Sequence, residues 1–291
     1  MIIVNMKGWA GNQLFQYATG RALSIRNNDT LKIDPKDFNR HAEKTNDSRK
    51  LDLLNFNIKA EVASDAEVKR LRDPLGLPSY IFRRLKMKFA PSDILNFDSS
   101  VLKNIGNTYL DGYFQSYKYF DSIKSELRNE ITLKQKYSDS AAKWREQINQ
   151  SDNSTSLHIR RGDYISNKTV HDEFGPCSID YYKRALTEIE SNGLKPTYFV
   201  FSDDLQWVKE NLILPENRTL YVAGEDLKTV EELMLMSQCK NQIIANSSFS
   251  WWGAWLNPNS EKVVIAPTPW LNSGKIKEED LIPSEWKTLP K

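Results

Sequence analysis

Two adjacent arginines follow a short apolar segment in the second half of the chain. The segment Ser156–Ile159 has the alternating pattern of a strand, and it ends immediately before Arg160 and Arg161. Strand alternation places His158 and Arg160 on one face. Guanidinium groups bind phosphate oxygens bidentately, and Asp163 is near enough in sequence to hold one of them. The segment is therefore a candidate anion site, with a structural Arg–Asp pair as the alternative.

An acidic pair follows the next predicted strand, Tyr198–Phe201. Asp204 suits the N-cap of a helix that begins at Leu205. Asp203 has no such duty, and a carboxylate at a strand end can accept hydrogen bonds from a purine edge or a ribose hydroxyl. Capping or solvation of Asp203 is the alternative.

Small polar residues open an apolar helix after the predicted strand Gln242–Ala245. The residues at this opening are Asn246, Ser247, Ser248, Phe249 and Ser250. A helix N-terminus presents free backbone N–H groups and favours an anion. The alternative is an ordinary N-cap, with Trp251, Trp252 and Trp255 filling the core.

A glycine-bearing turn separates the first predicted strand, Ile2–Val4, from an apolar stripe at helical spacing. Glycine permits close approach of the backbone to a ligand. After Gly11, the side chains of Asn12 and Gln13 offer both donors and acceptors. The turn is a second candidate contact for a ligand, with a purely structural turn as the alternative.

Strands and helices alternate along most of the chain, which predicts an α/β fold with parallel sheets. The first half predicts strands at Leu31–Ile33 and Tyr109–Phe114, and helices near Ser64–Leu71 and at Ser138–Gln150. The second half adds strands at Leu220–Val222 and Val263–Ala266, and helices at Ile179–Glu190, Leu205–Asn211, Leu227–Cys239 and Phe249–Leu256. The polar segment Ser151–Ser154 predicts a boundary between domains 1–150 and 151–291. Ligands bind at the carboxyl ends of strands in such folds.

Composition excludes several classes of protein. The 291 residues carry 40 basic and 38 acidic side chains, a net charge of +2 that does not predict a nucleic-acid partner. Two cysteines, Cys177 and Cys239, cannot form a disulfide framework. The chain opens without a signal sequence and has no apolar run long enough for a membrane span, so we expect a cytoplasmic protein.

The nucleotide fingerprints GxGxxG and GxxxxGK[ST], the HExxH zinc motif and the Asp-x-Asp triplet are all missing from the sequence.

Four motifs together resemble the bacterial-type α-1,2-fucosyltransferases, within a fucosyltransferase superfamily that carries an HxRRxD motif. They are GNQLFQYA (11–18), HIRRGDY (158–164), FSDD (201–204) and NSSFSWWGAW (246–255). The motifs span most of the chain. The chain departs from the usual Gly-Gly-Leu-Gly opening of the family, because it has Gly8-Trp9-Ala10-Gly11.

This resemblance implies a GT-B-like fold, with two Rossmann-like domains whose mostly parallel sheets face a cleft. It implies transfer of L-fucose from GDP-β-L-fucose to the 2-hydroxyl of a terminal galactose in a glycan, with inversion and without a metal or other cofactor. Residues 1–150 would be mainly the acceptor-side domain, and residues 151–291 would bind GDP-fucose.

The resemblance also implies roles for single residues. Arg160 would hold the β-phosphate and Asn12 would reach the donor, both as catalytic residues, while His158 and Asp203 would face guanine. Backbone N–H groups of Ser248, Phe249 and their neighbours would contact the diphosphate. The implied donor-binding residues are Gly11, Asn12, Gln13, His158, Arg160, Arg161, Asp163, Asp203, Asn246, Ser247, Ser248, Phe249 and Ser250.

An inverting transfer needs a group that takes the proton of the galactose hydroxyl. His171, Asp172 and Glu173 lie in the predicted loop after the arginine motif and are the candidates. Solvated loop side chains without a catalytic role are the alternative.

A basic segment, residues 69–89, interleaves seven Lys and Arg side chains with apolar ones. Such a pattern suits peripheral contact with an anionic membrane, where a lipid-linked glycan acceptor would lie. A solvated helix that packs on the N-terminal domain is the alternative.

Two other functions stay open at this point. One is a non-catalytic nucleotide- or glycan-binding protein, against which the complete HIRRGDY motif argues. The other is a related transferase that uses a different sugar nucleotide.

Overall fold

A computed structural model of the chain describes residues 1–36, 50–72, 95–191, 193 and 195–291. The chain divides into two compact units, Met1–Lys134 and Gln135–Lys291. The described residues of each unit form one sheet, and all the paired strands within each sheet are parallel. Of the basic segment 69–89, residues 73–89 lie outside the described ranges. None of the described helices is long and apolar enough to cross a bilayer.

The sheet of unit 1 has four strands in the order β3-β2-β1-β4. The strands are β1 (Ile2–Asn5), β2 (Leu31–Asp34), β3 (Glu61–Val62) and β4 (Thr108–Leu110), and the described α-helices are α1 (Ala10–Asn27), α2 (Asp65–Arg72) and α3 (Lys124–Glu130). Strand β1 is buried along its whole length, as expected for a strand with neighbours on both sides. In this register Val4 pairs with Ile33 on β2 and with Leu110 on β4.

Helix α1 packs closely on the centre of that sheet. Its N-cap, Trp9, has an extended backbone, and Asn28 ends the helix in the left-handed conformation. Gly20 faces the sheet, and a Cβ atom added there would lie 2.3 Å from Cγ2 of Val4 and 2.9 Å from Cδ1 of Leu31. The absent side chain therefore sets how closely the helix approaches the strands.

The sheet of unit 2 has six strands in the order β10-β9-β8-β5-β6-β7. These strands are β5 (Ser154–Ile159), β6 (Thr197–Ser202), β7 (Thr219–Tyr221), β8 (Asn241–Ile243), β9 (Val264–Thr268) and β10 (Lys287–Pro290). The described α-helices of the unit are α4 (Asp139–Gln150), α5 (Gly162–Ser166), α6 (Lys168–Glu173), α7 (Ile179–Glu190), α8 (Leu205–Asn211), α9 (Thr229–Gln238), α10 (Ser248–Leu256) and α11 (Glu278–Leu281).

Apolar side chains cover both faces of the unit 2 sheet. Leu157 and Ile159 on β5 pack with Tyr181 and Tyr182 of α7 on one face. On the other face, Phe199 and its neighbours pack against α4 and α9. Strand β5 is buried at every position. Arg160, which follows it directly, is therefore the first residue of the arginine motif with access to solvent.

Both sheets reverse their direction of growth beside their first strand. In unit 1 the chain adds β2 and β3 on one side of β1 and then places β4 on the other side. In unit 2 it adds β6 and β7 on one side of β5 and then β8, β9 and β10 on the other. Such a reversal leaves a crevice at the carboxyl ends of the two strands that flank it, where ligands of α/β proteins bind.

The parallel α/β architecture follows the sequence prediction, and several details differ. The division after Lys134 precedes the predicted boundary at 150, because α4 packs against α9 within unit 2. Strand β4 ends at Leu110 rather than at Phe114, whose φ of 51° is incompatible with a strand. Residues 168–173 form α6 rather than a loop. The sequence analysis predicts neither the short strands β3 and β10 nor the short helices α3, α5 and α11.

We expect Gly20→Ala to destabilise the protein by about 1–2 kcal/mol, because overpacking outweighs the helix propensity gained. Urea denaturation followed by circular dichroism measures the change. Ile25→Ala, on the exposed side of the same helix, is the control and should change stability much less. Equal stability of Gly20→Ala and the wild type would show that α1 has room to move away from the sheet.

Candidate active site

The guanidinium of Arg160 lies between two carboxylates at the carboxyl end of β5. Its Nη2 is 2.6 Å from Oδ1 of Asp163, and its Nη1 is 2.7 Å from Oδ2 of Asp203. The ring of Tyr164 lies 5.7 Å from the guanidinium carbon. These contacts fix the orientation of a guanidinium that is still about a quarter exposed. Arg160 is therefore preorganised and remains accessible to an anion.

Arg161 turns toward the neighbouring strand instead. Its Nε donates to Oδ2 of Asp204 at 3.1 Å, and its guanidinium lies 3.7 Å from the centre of the Trp207 ring. Asp204 also caps α8 by accepting a hydrogen bond from the backbone N–H of Trp207, which confirms the predicted capping role. Arg161 thus anchors the loop to α8, and its predicted contact with a donor stays a prediction.

Asp203 has a structural duty that the sequence did not indicate. Its Oδ1 accepts from the backbone N–H of Arg161 at 2.8 Å, while its Oδ2 pairs with Arg160. A Cβ atom on Gly162 would lie 2.6 Å from Oδ2 of Asp203, so only glycine fits this turn without displacing the carboxylate. Asp203 therefore positions Arg160, and its predicted contact with guanine stays a prediction.

His158 is a buried, neutral imidazole beneath the same loop. Burial, and secondarily the positive charge of Arg160, lowers the pKa of His158 to about 3. Its ring lies 5.9 Å from the ring of Phe249, and among the described residues its Nδ1 has no hydrogen-bond partner. The neutral ring can present one donor and one acceptor to a heterocyclic ligand.

The N-terminus of α10 lies beyond β8, which is the strand next to β5. Ser247 caps the helix by accepting a hydrogen bond from the backbone N–H of Phe249. Tyr164 joins this segment to the arginine motif, because its hydroxyl donates to the carbonyl of Asn246 at 2.9 Å. The arginine motif and the helix terminus therefore lie together at the carboxyl ends of strands, as the sequence predicted, and the strand order places them at the reversal point of the sheet.

Two polar side chains of this segment serve the fold. The amide of Asn246 donates to the carbonyls of Phe174, Gly175 and Trp270, and the Ser250 hydroxyl donates to carbonyls of its own turn. The backbone of this segment and the partly exposed side chains of Ser248 and Phe249 remain for a ligand. The three tryptophans of α10 (Trp251, Trp252 and Trp255) are buried core residues.

Among the candidate residues of the N-terminal turn, Gln13 serves the fold and Asn12 keeps its predicted role. Gln13 is fully buried, and its amide bonds the carbonyls of Gly8 and Lys50 and the N–H of Leu53, so its side chain holds the loop together. Gly11 lies in α1 rather than in the turn, and the left-handed residue of the turn is Gly8, with φ of 71°. Asn12 accepts a hydrogen bond from Gln115 at 2.7 Å, and its catalytic role stays a prediction.

The three candidate bases lie on α6, and each has a partner within the protein. Nδ1 of His171 is 2.8 Å from the carbonyl oxygen of Tyr164. Asp172 pairs with Lys168, and Glu173 pairs with Lys275 and Ser273. These contacts favour the structural alternative, and we assign the base to none of the three.

One acidic residue near the site was not found from the sequence. Glu232 lies on the first turn of α9, and burial, with the charge of Asp203 as a secondary cause, raises the pKa of Glu232 to about 7. The carboxylate of its neighbour Glu231 already accepts hydrogen bonds from the backbone N–H and hydroxyl of Ser138 and from the backbone N–H of Lys228. The signal that could have found Glu232 is an acidic pair inside an otherwise apolar helix.

The sequence pattern of the family described as Glycosyl transferase family 11 matches residues 1–290. The chain belongs to this family. An Escherichia coli alpha-1,2-colitosyltransferase is 32% identical, over 100% of this chain and 99% of that protein. The O-antigen biosynthesis glycosyltransferase WbnK of the same species is 31% identical over 91% and 93%. The predicted resemblance to bacterial-type α-1,2-fucosyltransferases is therefore confirmed at the level of the family.

More distant relatives include a bovine galactoside alpha-(1,2)-fucosyltransferase 1, 22% identical over 87% of this chain and 65% of that protein. Solved structures share the fold. The α-1,6-fucosyltransferase NodZ soaked with GDP-fucose superposes with a TM-score of 0.52 at 13% identity, over 88% of this chain and 92% of NodZ. An Arabidopsis thaliana FUT1 variant in complex with GDP gives 0.51 at 10% identity, over 90% and 69%. These likenesses confirm the GT-B-like fold class of this family 11 member.

We expect the stability difference between Glu232→Gln and the wild type to depend on pH. Because the pKa of Glu232 rises from 4.5 to about 7 on folding, protonation stabilises the folded chain. That contribution is complete below pH 4.5 and is lost as the pH rises through 7. Glutamine cannot ionise, so the variant should gain roughly 1–3 kcal/mol relative to the wild type between pH 4.5 and 8.

Thermal denaturation across this pH range measures the difference. Glu216→Gln, at an exposed site, is the matched control and should show no such pH dependence. A constant difference between Glu232→Gln and the wild type would show that the Glu232 carboxyl is solvated.

Proposed function

We propose that this family 11 member transfers L-fucose from GDP-β-L-fucose to the 2-hydroxyl of a terminal galactose in a glycan, with inversion and without a metal. The observation that carries the proposal is the Arg160 guanidinium, oriented by two carboxylates at the reversal point of the unit 2 sheet. The GDP-fucose-binding role predicted for the C-terminal half falls to unit 2 in this proposal.

The negative charge that develops on the leaving group explains why a guanidinium is needed. When the bond between fucose C1 and the β-phosphate oxygen breaks, its electron pair stays on GDP, and C1 bonds to the galactose oxygen from the opposite face. The galactose hydroxyl gives its proton to a general base as the new bond forms. Arg160 would donate two hydrogen bonds to the diphosphate as this charge appears, and the N-terminus of α10 would add backbone N–H groups. Donors that are fixed in advance need no reorganisation during the reaction.

A phosphate that binds Arg160 must compete with Asp163 and Asp203. Both carboxylates stand at the surface, with 36% and 26% of their side chains exposed, so each can exchange its contact with Arg160 for water. A diphosphate carries more negative charge than either carboxylate and suits the fork of the guanidinium. The two carboxylates would then keep Arg160 ordered in the absence of the donor.

The neutral imidazole of His158 beside Phe249 suits a purine. A charged histidine would disfavour the guanine N1–H donor, and the low pKa of His158 keeps the ring neutral. The flat ring of Phe249 offers a face for stacking. These two residues support a guanine nucleotide as the donor.

The absence of a metal from the proposed mechanism is a prediction from the sequence, which contains no Asp-x-Asp triplet. Within the described ranges, no group of three or more His, Cys, Asp or Glu side chains is placed to hold a metal ion.

The names of the relatives support the linkage and suggest a glycan. The colitosyltransferase and the bovine fucosyltransferase both carry α-1,2 in their names, and WbnK is named for O-antigen biosynthesis. We propose an α-1,2 linkage to a galactose-terminated glycan of the O-antigen class.

Transfer of colitose is a second candidate function. The colitosyltransferase matches this chain over its full length, and colitose is L-fucose without the 3-hydroxyl. A site that makes no hydrogen bond to that hydroxyl would accept both sugars, whereas a site that pairs with it would reject colitose strongly.

Incubation of the protein with GDP-fucose or GDP-colitose and a panel of β-galactosides, with and without EDTA, tests the proposed function. Mass spectrometry and NMR of the product identify the sugar and the linkage. We expect a 2-linked α-fucosyl product at equal rates in both buffers. Product from GDP-colitose alone would establish the second candidate, and activity lost in EDTA and restored by Mn²⁺ would refute the metal-independent mechanism.

We expect the wild type to bind GDP more tightly than GMP, and Arg160→Ala to remove most of this difference. The loss of charge-assisted hydrogen bonds corresponds to roughly 1.5–3 kcal/mol, about ten- to a hundredfold in affinity. Arg160→Lys should restore only part of it, because lysine has no fork. In the transfer reaction, Arg160→Ala should lower kcat by about 10²–10³.

Titration calorimetry with both nucleotides measures the affinities. Arg145→Ala removes an exposed arginine from α4 of the same unit and is the matched control. GDP affinity that falls equally in Arg160→Ala and Arg145→Ala would reduce the role of Arg160 to general attraction of anions.

A further inference from the structure

The segment that leads into α10 is anchored by the side chain of Asn246, directly before the N-cap Ser247. The Asn246 amide donates to the carbonyls of Phe174 at 2.9 Å, Gly175 at 3.0 Å and Trp270 at 3.1 Å. An amide nitrogen carries only two hydrogens, so three acceptors share two donors. The position of the α10 N-terminus therefore depends on which other donors reach these carbonyls.

Lys291 supplies such a donor from outside the motif. Its ammonium donates to the carbonyl of Phe174, which the Asn246 amide also contacts. The backbone holds Lys291 in place, because its N–H donates to the carbonyl of Thr268, the last residue of β9, at 2.9 Å. With Lys291 on the Phe174 carbonyl, the two hydrogens of the Asn246 amide can serve the other two carbonyls.

Lys291 is half-buried, and its ammonium is partly withdrawn from water. Burial lowers the pKa of Lys291, and the nearby carboxylate of Glu278 opposes that shift. Glu278 itself accepts hydrogen bonds from the Thr268 hydroxyl and the Trp270 N–H, each at 2.6 Å. A cation with little water around it depends on its protein acceptors. The contact with the Phe174 carbonyl is therefore a fixed one, unlike that of a solvated surface lysine.

Phe174 also connects Lys291 to the guanidinium of Arg160. The ring of Phe174 packs on the ring of Tyr164, with 5.3 Å between their centres. Tyr164 lies against the Arg160 guanidinium and donates its hydroxyl to the carbonyl of Asn246. Phe174 therefore touches both halves of the candidate anion site, the arginine motif through its ring and the α10 segment through its carbonyl.

The backbone on either side of Phe174 is fixed. Gly175 has a left-handed φ of 59°, and a Cβ atom added there would lie 2.7 Å from Nδ2 of Asn272. On the other side, the carbonyl of Glu173 accepts from the Asn272 N–H at 2.8 Å. The Phe174 carbonyl therefore has little freedom to turn toward another donor if Lys291 is removed.

We propose that Lys291 is a positioning residue for the diphosphate site of unit 2, acting through the Phe174 carbonyl and the Asn246 amide on the N-terminus of α10. The proposal rests on the proposed function, because it takes the ligand at this N-terminus to be the diphosphate of the donor. Lys291 itself would not touch the donor. Without its ammonium, Asn246 would shift toward Phe174, and the backbone N–H groups after Ser247 would lose their alignment with the β-phosphate.

Calorimetric titration of Lys291→Met with GDP and with GMP tests the proposal without requiring catalysis. The ratio of the two dissociation constants reports the contribution of the β-phosphate. We expect Lys291→Met to lower this ratio roughly three- to tenfold, mainly by weakening the binding of GDP. Lys291→Arg keeps a charged donor and should restore most of the ratio. A residue that only stabilises the fold would lower the melting temperature and leave the ratio unchanged.

Lys287→Met is the matched control. It removes one positive charge from β10, the strand that Lys291 follows, and Lys287 pairs with Glu188 rather than with the site. This variant should keep the wild-type ratio. A double-mutant cycle of Lys291→Met with Tyr164→Phe tests the route, because both changes act on Asn246 and their effects on the ratio should be non-additive.

Three results would each overturn the proposal. They are a wild type that binds GDP and GMP equally, a ratio in Lys291→Met that is unchanged or falls no further than in Lys287→Met, and additive effects in the cycle.

The positioning role and the proposed transfer fail separately. If GDP-fucose is not turned over but the ratio falls in Lys291→Met alone, the proposed transfer is wrong and the positioning role stands. If GDP-fucose is turned over but Lys291→Met keeps the wild-type ratio, the positioning role is wrong and the proposed transfer stands.

Discussion

The candidate active site depends on one ionic arrangement, the Arg160 guanidinium held between Asp163 and Asp203. Strand β5 is buried along its length, so it delivers Arg160 to a fixed point at the edge of the sheet. Asp203 reaches the same point from β6 and also bonds the backbone of Arg161. Gly162 leaves space for that carboxylate. The site is therefore ordered before any anion arrives, which is the condition for strong electrostatic stabilisation.

The two units share one topology and carry different polar side chains where their sheets reverse. Each sheet reverses beside its first strand, and polar residues gather at the reversal. In unit 2 these residues include Arg160 and the start of α10, which suit a diphosphate. In unit 1 they are the ion pair of Lys7 with Asp111 and the amides of Asn5 and Gln115.

The sequence predicts those contacts whose two partners lie close together in the chain. The Arg160–Asp163 pair and the Asp204 cap are local, and the alternation of strands and helices fixed the parallel sheets. Contacts between residues that are far apart in the chain cannot be predicted in this way. Asn246 and Gln13 are polar residues in apparent binding motifs, but tertiary contacts commit their amides to backbone groups. Only the fold brings Glu232 close enough for the charge of Asp203 to raise its pKa, and no periodicity in the sequence predicts that proximity.

A crystal structure of the protein with GDP tests the central claim most directly. The account predicts that the diphosphate lies at the carboxyl ends of β5 and β8, within hydrogen-bonding distance of the Arg160 guanidinium, with backbone N–H groups at the start of α10 completing its contacts. It also predicts that at least one of the two carboxylates, Asp163 or Asp203, gives up its contact with Arg160. A nucleotide bound at the β1–β4 edge of unit 1, or one bound in unit 2 with both carboxylates still on Arg160 and no phosphate contact to it, would contradict the account.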